Sequence, residues 1–85
     1  MNDAHAKIIE ILGPGCPRCE QTLRVVRHVV EQAGIPAEIR KVDSINRMVE
    51  LGVLATPAIA VNGVVKLSGQ VPKAEVVRQI LGIEG

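Results

Sequence analysis

At Gly13-Pro14-Gly15 the hydrophobic period of the chain changes, and this change constrains the fold more than any other feature. Before it, Lys7 to Leu12 (Lys-Ile-Ile-Glu-Ile-Leu) is short, β-branched and nearly continuous in apolar residues. Such a run suits a strand buried on both faces. After it, Cys19, Leu23, Val26, Val30 and Ala33 recur at steps of four, three, four and three, which is one stripe of a helix. Glycine and proline break regular structure between the two. Pro17 fits a first helical position, where its missing N–H costs nothing. Gly34 followed by Pro36 forms a C-cap glycine and a stop.

The rest of the chain continues the alternation. Ala37 to Val42 forms a second, more polar strand with imperfect alternation. Asp43 or Ser44 caps a short helix through Ile45, Met48, Val49 and Leu51, closed by Gly52. Beyond Val53-Leu54-Ala55-Thr56-Pro57, strands Ala58 to Val61 and Val64 to Ser68 are joined by Asn62-Gly63, the strongest short signal for a type I′ hairpin. Gly69 to Val71 forms a loop. Pro72 opens a last helix with Val76, Val77, Ile80 and Leu81 as its apolar face and Gly82 as its end. The order β-α-β-α-β-β-α defines an α/β fold. Its first three strands, linked by helices, are expected to run largely parallel, with the hairpin adding an antiparallel edge. A length of 85 residues supports one domain, 1–85, and the sequence holds no repeat, low-complexity tract or linker.

Composition narrows the function. The net charge of +1 lacks the basic excess of a nucleic-acid binder. The chain has no Phe, Trp or Tyr, which removes base-stacking platforms, aromatic cages and cation–π sites. No apolar run approaches the roughly 20 residues that span a bilayer. The first residues, Met1 to Lys7, lack a signal-peptide apolar region, so a cytoplasmic chain without membrane or nucleic-acid partners is expected.

Compartment decides how Cys16 and Cys19, the two cysteines, are read. A reducing cytosol disfavours a static structural disulfide. A bridge closing so short a loop would also remove little unfolded-state entropy. Cys16-Pro17-Arg18-Cys19 is therefore a redox couple or half of a metal site. Two buried thiols serving as small hydrophobes would leave the surrounding glycines and prolines without a role.

Gly13-Pro14-Gly15-Cys16-Pro17-Arg18-Cys19 at the start of the first helix, Ala55-Thr56-Pro57-Ala58 opening a later strand, and the hairpin at Asn62-Gly63 resemble the thioredoxin fold. The likeness extends from about Lys7 to Leu81 and is closest to the small redox-active disulfide proteins, the minimal members of that family. It implies a four-stranded mixed sheet with the first strand central and helices on both faces. It also implies that Thr56-Pro57 is cis and lies against the cysteines, with Thr56 pairing its backbone to an incoming peptide. Gly15 stands where many thioredoxins carry Trp, and Pro17-Arg18 where many carry Gly-Pro. The ring-free rim of the site is accordingly expected from Gly13, Pro14, Gly15 and the Thr56-Pro57 loop, with Gly15, Pro17, Arg18, Thr56 and Pro57 as the substrate-binding residues.

The chemistry needs a thiolate, and a free cysteine is only about 3% ionised at pH 7. Cys16 stands where the helix begins, and unsatisfied N–H groups there favour negative charge. Arg18 either adds positive potential or is solvated. Cys16 is expected to attack a partner disulfide and Cys19 to resolve the mixed disulfide. Glu10 interrupts the apolar first strand six positions before Cys16, where thioredoxins hold a buried carboxylate. It is a candidate proton acceptor, its pKa raised if it is buried; otherwise it points into water or pairs with a Lys or Arg. The implied partners are protein disulfides or dithiols and a disulfide reductase, and no cofactor is expected.

Three alternatives compete. A Cys-x-x-Cys metal module would need further ligands for Zn, and His5 and His28 are read as surface residues, leaving no metal site assigned. A glutaredoxin-like protein would offer N–H groups of Gly69 to Pro72 to a glutathione carboxylate. A non-catalytic interaction domain would keep the fold and use its apolar rim.

Overall fold

The computed structural model describes residues 6–15 and 17–83. Cys16, the expected nucleophile, and His5 lie outside the described residues. The elements are β1 (Lys7–Leu12), α1 (Pro17–Ala33), β2 (Ala37–Val42), α2 (Ile45–Leu51), β3 (Ala58–Val61), β4 (Val64–Ser68) and α3 (Ala74–Leu81). One sheet of order β2-β1-β3-β4 places β1 inside. Three helices and a four-stranded mixed sheet make this a small α/β fold, as the resemblance implied.

Side-chain parity sorts the molecule into two faces. Ile9 and Ile11 of β1 and Ile59 and Val61 of β3 join Val26 and Val29 of α1 and Val77 and Leu81 of α3 in one buried cluster. Leu12, Ala58 and Ala60 point the other way, toward Met48 and Leu51 of α2. β1 is thus covered on both faces, as its continuous apolar run requires.

One topological expectation is corrected. β1 and β2 are parallel, but β3 is antiparallel to β1, with Leu12 opposite Ala58 and Ile9 opposite Val61. β3 therefore starts at the end of the sheet where β1 finishes. A parallel β3 would need a connection that crosses the length of the sheet. Helix α2 has seven residues and rises only about 10 Å, and the segment from Gly52 to Pro57 brings the chain back to the same end.

The termini of the elements follow local chemistry. The Ser44 hydroxyl accepts the Arg47 N–H at 3.2 Å, and Gly52 adopts φ 74° as the C-cap of α2. Asn62 (φ 52°) and Gly63 (φ 82°) supply the two left-handed residues of the hairpin turn. Helix α3 begins at Ala74, not at Pro72, because the N–H groups of Val76 and Val77 donate to the Lys73 carbonyl and make Lys73 the N-cap. The buried stripe of α1 is likewise shifted. It consists of Cys19, Thr22, Val26 and Val29, while Leu23 and Val30 are half-buried and Ala33 is exposed. Thr22 is tolerated there because its hydroxyl donates to the Arg18 carbonyl at 2.9 Å.

Candidate functional site

The site is built from the end of β1 outward. The N–H of Gly13 donates to the Val42 carbonyl at 2.9 Å, carrying the ladder with β2 one residue past Leu12. Its parity turns the Gly13 Cα toward the α1 face, directly beneath Cys19. A Cβ at Gly13 would lie 2.2 Å from Cys19 Sγ, 3.4 Å from Cys19 Cβ and 3.6 Å from Thr56 Cβ. Only a residue without a Cβ admits so close an approach. Cys19 is 2% exposed. Gly13 therefore lies next to both Cys19 and Thr56, residues separated in sequence.

The Thr56–Pro57 peptide bond is cis. Pro57 is buried, and its carbonyl accepts the Gly69 N–H at 2.8 Å. The Gly69 carbonyl in turn accepts a hydrogen bond from Arg18 Nη2 at 3.1 Å. Gly69 of the β4–α3 loop thus joins Arg18, in the stretch between the two cysteines, to the proline loop. Arg18 is exposed, and its guanidinium is tethered to Gly69. Of the Gly69 to Pro72 N–H groups considered for a glutathione carboxylate, that of Gly69 is bonded to Pro57 and Pro72 has none.

The expected rim also changes. Gly13 and Pro57 are buried beneath the surface. The exposed pieces are Pro14, Gly15, Pro17, Arg18 and Ala55, joined by Leu54, whose side chain is 96% exposed. Sequence reasoning passed over Leu54 because it sits in a segment with no periodicity.

Glu10 is 4% exposed and shares its face with Leu12, on the α2 side of the sheet. Both carboxylate oxygens accept from one guanidinium: Arg47 Nε at 2.8 Å and Arg47 Nη2 at 2.9 Å. Arg47 Nη1 also donates to Glu50 at 3.1 Å. The carboxyl is held below its ordinary value chiefly by the hydrogen bonds from Arg47. Burial opposes this, and the charges of Arg47 and Arg40 add to it. The expectation of a raised pKa on burial is therefore corrected: a bidentate guanidinium outweighs desolvation here. Arg47 itself is pushed upward by the same hydrogen bond and by Glu50. Neither its identity nor its pairing across 37 positions was visible in the sequence.

A second ion pair borders Cys19 on the α1 face. Glu20, the next residue of α1, accepts from Lys41 Nζ of β2. The ammonium is raised first by that hydrogen bond, with burial opposing, and then by the charge of Glu20; Cys19 and Asp43 add less. His28 is exposed on α1. Among the described residues no group of three or more His, Cys, Asp and Glu gathers as a metal set.

Comparison with known proteins settles the family. Residues 7–82 match the family described as a thioredoxin domain. The chain belongs to the thioredoxin family. It is 40% identical over 74 residues to a thioredoxin of Methanocaldococcus jannaschii, covering 87% of this chain and 85% of that one. It is 36% identical over 73 residues to a thioredoxin of Methanothermobacter thermautotrophicus, covering 86% and 95%. A probable thioredoxin of the latter organism is 33% identical over 70 residues. In this thioredoxin domain no helix among the described residues is long and apolar enough to cross a membrane.

Proposed function

We propose that the protein is a cytoplasmic thiol–disulfide oxidoreductase that exchanges a Cys16–Cys19 dithiol with disulfides of partner proteins. The observation that carries this reading is that Gly13 lies against both Cys19, in the first turn of α1, and Thr56, within a thioredoxin domain match spanning nearly the whole chain.

In the forward cycle the Cys16 thiolate attacks one sulfur of the partner disulfide. A Cys16–partner bond forms, and the other partner sulfur leaves as a thiolate that takes up a proton. Cys19 then loses its proton, and its sulfur attacks Cys16. The Cys16–Cys19 bond forms and the second partner sulfur leaves as a thiolate, which is protonated in turn. The partner gains two electrons and two protons, and the domain becomes the disulfide. A disulfide reductase, itself a dithiol donor, returns the domain to the reduced state.

Thr56 and the exposed Gly15, Pro17 and Arg18 form the docking rim, with Pro57 setting the loop from below. Glu10 enters as the candidate acceptor of the Cys19 proton. Arg47 keeps it ionised and so able to receive a proton, although a lowered pKa makes it a weaker base. Its place on the α2 face puts it across the sheet from the helix that carries Cys19.

The test is a thiol count with insulin as substrate. The expected result is two thiols per chain after dithiothreitol and none after insulin is reduced, with Cys19→Ser trapping a mixed disulfide through Cys16. Thiols that stay unchanged while insulin remains oxidised would refute the proposal. Glu10→Gln is expected to slow resolution and spare attack; rates of both steps unchanged from wild type between about pH 6 and 9 would remove Glu10 from the cycle.

A further inference from the structure

We infer that Gly13 is a positioning residue for the resolving step: its bare Cα is the seat that sets where the Cys19 sulfur stands for its attack on Cys16. This rests on the reading of Cys19 as the resolving thiol.

Three observations converge on Gly13. A Cβ there would fall 2.2 Å from Cys19 Sγ, far inside van der Waals contact. The same Cβ would stand 3.6 Å from Thr56 and 3.4 Å from Cys19 Cβ, distances a packed interior tolerates or nearly so. Its backbone is pinned, since its N–H is bonded to Val42 of the neighbouring strand. A methyl group at this position therefore has one neighbour that must move, and that neighbour is a sulfur at the tip of a short side chain. The backbone cannot withdraw, but the sulfur can turn. Rotation of χ1 to another staggered well carries a cysteine sulfur by about 3 Å.

Such a displacement bears on one step of the cycle. In resolution, the attacking sulfur must approach Cys16 nearly in line with the Cys16–partner bond that breaks. The Cys19–Cys16 bond forms as the partner sulfur leaves. A misplacement of about 1 Å can cost about a hundredfold in such a reaction. Initial attack by Cys16 does not use the Cys19 sulfur. Gly13 thus divides the two half-reactions: it acts on the second and is silent in the first. Gly13 itself meets no substrate and moves no proton.

The experiment follows both steps with one reagent. Reduced protein is mixed with 5,5′-dithiobis(2-nitrobenzoic acid), and absorbance records the aromatic thiolate released. Wild type is expected to release one equivalent on attack and a second on resolution. Gly13→Ala is expected to leave the first phase within about twofold and to slow the second about tenfold or more. A second phase within about twofold of wild type in folded Gly13→Ala overturns the inference.

A denaturation cycle covers the other outcomes. The loss of stability caused by Gly13→Ala is compared in wild type and in Cys19→Ala, where the sulfur is absent. If the loss disappears or folding is restored without the sulfur, the seat is supported. If loss or misfolding is the same in both backgrounds, the inference is overturned. Absence of a second equivalent from wild type itself would count against the proposed function, while the denaturation cycle would still decide the role of Gly13.

Discussion

The two faces of the sheet are held by different physics. On the α1–α3 side, eight buried aliphatic residues interlock, and burial of apolar area dominates. On the α2 side the buried cluster is Leu12, Ala58 and Ala60, with α2 contributing half-buried Met48 and Leu51 and no fully buried side chain. There the link between helix and sheet is the bidentate bond from Arg47 to Glu10. The comparison shows how a chain without aromatic residues distributes its resources. One face gathers most of the buried branched aliphatics, and the other adds a charged fastening to a smaller apolar cluster.

This contrast can be broken from either side. The largest effect belongs to the aliphatic face: Ile59→Ala should cost about 2–5 kcal/mol in urea denaturation, since a cavity opens among residues that cannot collapse around it. Arg47→Met is next. It leaves Glu10 buried without its partner, so chemical denaturation should show a loss larger than that of Glu10→Met/Arg47→Met, in which no buried charge is stranded. If the single and double variants are equally stable, the α2 side is not fastened by this pair.

Acid titration sharpens the same point. The folded pKa of Glu10 lies below its ordinary value of 4.5, so the pair's stabilisation is complete above that value and is lost as pH falls through the folded pKa. In Arg47→Met burial is left to push Glu10 upward. The stability of that variant should therefore rise as pH falls from about 7 to about 5, whereas wild type should show no such rise from Glu10. Thermal melts across that range distinguish the two signs. The smallest effect is expected from Arg40→Ala, because the Glu38–Arg40 pair is exposed on the edge strand; its melting temperature should match wild type.

Much of the fold was legible because it is local. The period change at Gly13-Pro14-Gly15, the Gly34 stop and the Asn62-Gly63 turn each act within a few residues, and β1, β2, α2, β3 and β4 begin and end where these signals place them. The direction of β3 was not legible. It depends on which end of the sheet the connection through α2 reaches, and length and path decide that together. At the site, the cysteine motif and the Thr56-Pro57 loop were visible as motifs. The environment of Glu10 was not, since Arg47 reaches it from a helix whose own pattern gives no hint of a partner. Gly13 was read as a strand breaker and as part of the rim, not as a neighbour of Cys19. Its closeness to Cys19 Sγ arises from the stacking of α1 on β1, which no spacing encodes.

The outermost strands of the sheet are β2 and β4. Each is a line of backbone donors and acceptors open to lateral growth, the geometry from which fibrils and unintended dimers begin. β2 carries Glu38, Arg40 and Lys41 along its length, and β4 carries Lys66 between its valine pair and Leu67. These side chains guard the borders of the sheet. A foreign strand laid against either border must desolvate or repel them. The charges that leave β2 only partly buried thus protect the molecule from aggregation.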